Sequence, residues 1–144
     1  MAEIDPATDL VRYLRGLGGN FTWIKIPSLD AGVTPTVFVS DLPDKPDSAM
    51  VATRYSGSPP SEVFGNPFAV RHPRVQFLIR DPDSDVALDR LVQVMKALGK
   101  ERNQTINGTF YESVVTVGEP EEIGPDSSDR QRATLNMEVS FHDS

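Results

Sequence analysis

Three carboxylates at alternating positions, Asp81, Asp83 and Asp85, have the residue type and spacing that open a calcium-binding loop. The rest of the loop is missing. Its sixth position is Val86 rather than a glycine, and its twelfth is Val92 rather than a glutamate. Acidic residues in the first turn of a helix are stabilised by the helix dipole, so capping is the better reading of this cluster. The two histidines, His72 and His142, have no spacing partner for a metal site, and no serine near either lies in a Gly-x-Ser-x-Gly elbow. Both read as surface histidines. Gly16-Leu-Gly18-Gly19 lacks the dinucleotide pattern and the phosphate-loop lysine, and reads as a helix stop. Tyr13, Phe21 and Trp23 read as core filler beside that helix end. No nucleophile, base and oxyanion donor come together, so the sequence points away from catalysis and implies no cofactor.

Two acidic groups remain. Asp41, Asp44 and Asp47 fall in one proline-containing turn. Glu119, Glu121, Glu122, Asp126 and Asp129 fall in a second connection, which reaches Arg130 with no Lys or Arg before it. Each reads by default as a solvated loop. The sharper reading is an electronegative surface lining a passage or meeting a basic partner. The aromatic connection around Phe64 and Phe68, flanked by Tyr55, Val63 and Arg71, is the other candidate. Its apolar side chains either fold back on the core or are covered by another subunit.

The elements that must position these residues follow from periodicity. Asp5 caps a first helix, with Pro6 in its first turn and Ala7, Leu10, Val11, Leu14 and Leu17 as its apolar stripe; Gly18-Gly19-Asn20 ends it. Thr36–Ser40 and Ala49–Tyr55 read as strands, and Ser56 to Pro73 as a long loop-like connection. In Arg74–Arg80, Val75, Phe77 and Ile79 alternate with Gln76, Leu78 and Arg80, as in a strand with one buried face. That strand runs straight into a second helix, about Asp83 to Leu98, with Asp81 as cap and Pro82 at its first position. Asn107-Gly108 signals a tight turn. Strands from about Thr109 to Val117 and from Arg130 to Phe141 follow, separated by the acidic connection. The last one alternates best, with Ala133, Leu135, Met137, Val139 and Phe141 on one face. The fold class is α+β: a mostly antiparallel sheet with two helices packed on one face.

The 144 residues are most economically one domain. Cysteine is absent, which excludes disulfides and thiolate chemistry and fits a reducing compartment. The first residues lack the basic start and apolar core of a secretory signal. No apolar run approaches the roughly 18 residues of a membrane span. A net charge of −7 argues against nonspecific grip on nucleic acid or anionic membrane, while allowing a role beside DNA that passes without sticking.

Pro73-Arg-Val-Gln-Phe-Leu-Ile-Arg80, the acidic helix start and the helix ending Met95-Lys-Ala-Leu98 carry a resemblance. So do the Asp9-Leu-Val-Arg-Tyr-Leu14 helix, the Tyr55-Ser-Gly-Ser-Pro-Pro60 stretch and the closing strand pair. Together, in this order, they resemble the minor capsid and tail-terminator (tail completion) proteins of long-tailed bacteriophages and prophages. The resemblance covers essentially the whole chain and carries no functional residue across. It implies a virion assembly protein, made in the host cytoplasm and placed at the head-proximal end of the tail. Such a protein would form a homo-oligomeric ring, commonly a hexamer, cap the major tail tube protein and face a head connector or adaptor. DNA would pass through without sequence-specific binding. On this reading Tyr55, Val63, Phe64, Phe68 and Arg71 are expected at the subunit interface. Asp41, Asp44, Asp47, Glu119, Glu121 and Glu122 are expected to face the channel or tube. The alternatives are a head-completion or head–tail adaptor protein or, in another class, a small peptide-binding module using a sheet edge or the long loop.

Overall fold

The first helix, α1 (Pro6–Leu17), is set by its ends. The Asp5 carboxylate accepts from the Ala7 amide at 3.1 Å and the Thr8 hydroxyl at 2.9 Å, satisfying donors that the first turn leaves orphaned. Gly18, at φ 63°, turns the chain out of the helix. Ala7, Leu10, Val11 and Leu14 are buried, while Leu17, expected in the same stripe, is 48% exposed. A computed structural model of the chain describes residues 4–63 and 65–142.

Seven strands make one sheet: β1 (Val37–Val39), β2 (Ala49–Val63), β3 (Asn66–Asp81), β4 (Arg102–Ile106), β5 (Thr109–Thr116), β6 (Glu121–Pro125) and β7 (Gln131–His142). The order is β1-β2-β3-β7-β5-β4, with β6 also paired to β7. Only β1 and β2 run parallel. The second helix, α2 (Ser84–Leu98), lies with α1 on one face. Val75, Phe77 and Ile79 from β3 and Leu135, Met137, Val139 and Phe141 from β7 meet Leu10, Leu14, Leu91, Val94 and Leu98 there in one contiguous core. This is the expected α+β architecture, and the alternation read in β3 and β7 matches their buried faces.

Three expectations about the elements change. The junction into α2 is shifted by two residues: Asp83, not Asp81, is the cap, accepting from the Asp85 amide at 2.9 Å. Asp81 ends β3, buried, and accepts from the Asp83 amide (2.9 Å) and the Ser48 hydroxyl (2.5 Å). The connection expected from Ser56 to Pro73 is mostly strand. β2 and β3 form one long hairpin whose register breaks between Tyr55, Ser58, Ser61 and Val63. Those bulges absorb the prolines, which cannot donate to a regular ladder. Glu121 and Glu122 lie on a strand, β6, rather than in a loop. Strand β4, polar and at the sheet edge, had no periodic signal to announce it. The Asn107-Gly108 turn stands as expected, with both residues at positive φ (51° and 83°) joining β4 to β5.

Candidate functional site

The sheet places the two groups of candidate residues in different settings. Beyond the last β3–β7 pair, Val70 with His142, the β2–β3 hairpin continues as an arm. His72 ties the arm to the sheet: its Nε2 lies 2.8 Å from the Ser61 hydroxyl on β2 and its Nδ1 2.8 Å from the Ser140 hydroxyl on β7. It is a bridge across three strands rather than the plain surface histidine its flanks suggested. At the first bulge the backbones close up. A Cβ on Gly57 would sit 1.9 Å from the His72 carbonyl oxygen, so only glycine fits.

Tyr55 is half-buried opposite Arg74, and the Arg71 guanidinium stands 5.8 Å from the centroid of the Phe141 ring. The backbone of Val63 and Phe68 lies on the paired strands of the arm, and Phe64 lies outside the described residues. The structure therefore gathers Tyr55, Arg71, Val63 and Phe68 onto one hairpin. A groove of about 380 Å³ runs along its base, lined among others by Arg54, Tyr55, Gly57, Arg71 and His72.

The first acidic turn is a clamped loop. Arg130, 7% exposed, donates to the Asp44 carbonyl (2.5 Å), the Asp44 carboxylate (2.9 Å), the Asp47 carboxylate (3.3 Å) and Asp126 (2.9 Å). Arg80, also buried, donates to the carbonyls of Pro46 (2.5 Å) and Asp47 (3.3 Å). The Lys45 ammonium, 3.0 Å away, and then Arg130 hold the Asp47 carboxyl below its ordinary range. Burial works against ionisation of Asp126, but the amides of Arg130 and Ser128 and the Arg130 guanidinium lower it overall. Asp44 and Asp47 are thus locally neutralised. Asp41 lines a groove of about 360 Å³ between α1 and β1, beside Arg12, Ile26 and Val39.

The second acidic group is different. Glu119, Glu121 and Glu122 are exposed, and none forms an ion pair among the described residues. The exposed side chains of Val117 and Ile123, each 41% accessible, lie at either end of this stretch. The described residues hold no cluster of three or more His, Cys, Asp or Glu able to take a metal ion. No helix is long and apolar enough to cross a membrane.

With the fold and these surfaces in view, comparison with known families is decisive. The family model described as "Bacteriophage tail terminator protein" matches residues 25–143. The chain belongs to the bacteriophage tail terminator family. It is a structural protein of the phage tail and a virion component. The matched span takes in the whole sheet and α2; only α1 and its 3-10 extension (Gly19–Phe21) precede it. No curated protein matches the chain.

Two groups of residues at these surfaces leave little trace in the sequence. One is the loop Pro27–Pro35, which exposes Leu29 and Val33 (42% and 50%) while Arg15 grips Asp30 at 2.7 and 2.9 Å. The other is Arg130, whose partners lie up to 86 residues away. The Asp-Ala-Gly turn was the one local signal for the first. The second left none, because an arginine beside a strand start says nothing about distant carboxylates.

Proposed function

We propose that this tail terminator caps the tail tube as a homo-oligomeric ring, stops tube polymerisation and presents a surface to the head connector or adaptor. The observation that carries the reading is the family match over 25–143, which spans the entire sheet. Two features of the chain suit it. The β2–β3 arm, long and held at its base by His72, is the element we assign to contact with the tube or a neighbouring subunit. The net charge of −7 suits a ring through which DNA passes without being held.

A direct test is binding of the purified, gold-labelled protein to preformed tubes of major tail tube protein, viewed by electron microscopy. Label at one end of each tube is expected. Label along the tube wall, or on neither end, would overturn the reading.

A further inference from the structure

Five strands form one continuous row across the middle of the sheet. Phe38 on β1 pairs with Val51 on β2, which pairs with Leu78 on β3, which pairs with Thr134 on β7, which pairs with Glu121 on β6. β1 and β6 are therefore opposite ends of the same row, roughly 19 Å apart at the usual strand spacing. They lie at one level of the molecule and look away from each other.

Each end carries exposed apolar side chains, and the charges around them differ in sign. Beside β1, the loop Pro27–Pro35 exposes Leu29 and Val33. This loop is tied down at Asp30, which is gripped in a two-pronged bond by Arg15 and accepts from the Ile26 amide at 2.8 Å. Asp30 is held by Arg15 and also feels Lys25, so Arg12, Arg15 and Lys25 stand against Asp30 and Asp41 at this end, a small positive excess; Arg12 and Asp41 line the groove that the loop borders. The Val37 amide already donates to the Lys25 carbonyl, so part of the outer β1 edge is covered and exposed side chains stand beside it. Beside β6, Val117 and Ile123 are exposed on either side of Glu119, Glu121 and Glu122. Arg132 does not offset them, since its guanidinium donates to the Gly124 and Pro125 carbonyls at the other end of the strand.

Matched apolar patches of opposite charge on opposite ends of one row are what a head-to-tail contact requires. We propose that the β1 end of one copy, with Leu29, Val33, Arg12 and Lys25, docks on the β6 end of the next, with Val117, Ile123 and the three glutamates. The occupant of each patch is a second copy of this chain. The contact is heterologous, so each copy keeps one end free until the ring closes. This assignment rests on the ring reading above and specifies which surfaces make the ring.

Because the chain has no cysteine, engineered thiols report it cleanly. The full-length variants Val33→Cys, Ile123→Cys and the double variant, each checked for a wild-type circular dichroism spectrum, are treated with a short bismaleimide. The double variant is expected to give a ladder of multimers, a mixture of the two single variants only a dimer, and each single variant alone only monomer. Glu121→Lys with Glu122→Lys, added to the double variant, is expected to abolish the ladder. Dimers from a single variant alone would show a symmetric contact and overturn the proposal. Wild-type protein treated with an amine cross-linker separates the two levels. If it ladders while the double-cysteine variant does not, the ring stands and these surfaces are wrong. If neither ladders, both fall.

Discussion

Tyr111 on β5 donates a 2.5 Å hydrogen bond to the carboxylate of Asp9 on α1, from 102 residues further along the chain, with both side chains buried. Asn107, at the β4–β5 turn, donates to the other Asp9 oxygen at 2.9 Å. A carboxylate inside an apolar core is costly unless its oxygens are satisfied, so this pair fixes where α1 sits on the sheet. Burial, and then the hydrogen bond to Asp9, push the Tyr111 hydroxyl well above its ordinary range and keep it a donor. Tyr111→Phe leaves an Asp9 oxygen without its partner. It should cost about 1–3 kcal/mol in urea unfolding. An unchanged midpoint would show that α1 is docked by apolar packing alone.

Arg130 should behave as the clamp of the β1–β2 loop. Arg130→Lys keeps the charge but loses the planar fork that reaches Asp44, Asp47 and Asp126 together. Hydrogen exchange should therefore rise across residues 44–48 in Arg130→Lys nearly as much as in Arg130→Ala. Wild-type protection in the lysine variant would mean that charge alone holds the loop.

The hairpin arm depends on Gly57. An added methyl group would meet the His72 carbonyl, forcing the two strands apart at the bulge. Gly57→Ala should speed amide exchange at residues 56–58, at Ser61 and at His72 while leaving β7 beyond Ser140 protected. Exchange that does not change would mean that the arm is open at this point in solution.

The loop that exposes Leu29 and Val33 carries a pH signature. The Arg15 guanidinium, then the Ile26 amide, hold the Asp30 carboxyl at about 2, against an ordinary 3.8. A carboxylate depressed in the folded state contributes stability above its unfolded value, and that contribution is lost as pH falls toward the folded one. Asp30→Asn should thus lower the thermal midpoint at pH 7, and the gap from wild type should narrow between pH 4 and 2. A gap independent of pH would show that the Asp30 charge is not what matters.

These contacts explain what the sequence did and did not reveal. Val75, Phe77 and Ile79 advertise a half-buried strand because period-two burial writes itself into residue order, and the same holds for the alternation from Ala133 to Phe141. The sequence points to a cap two residues early because Asp81 and Asp83 are equally good caps in isolation. Pairing with Gln131 on β7 and the Ser48 hydroxyl, 33 residues away, hold Asp81 at the end of β3. The arm read as a loop because Ser56 to Pro60 has loop composition, while its strand character comes from pairing across bulges. For the same reason β6 was hidden: Glu121 and Glu122 are exposed, and their strand conformation is imposed by Thr134 and Ala133 opposite them. The neutralisation of Asp44 and Asp47 was invisible because it depends on Arg130.

Tail length in the infected host tests tube capping most directly. Deleting the gene should give overlong tubes that carry no heads, and supplying the wild-type protein in trans should restore tails of uniform length joined to heads. Tails of normal length, joined to heads, in the deletion would contradict the account.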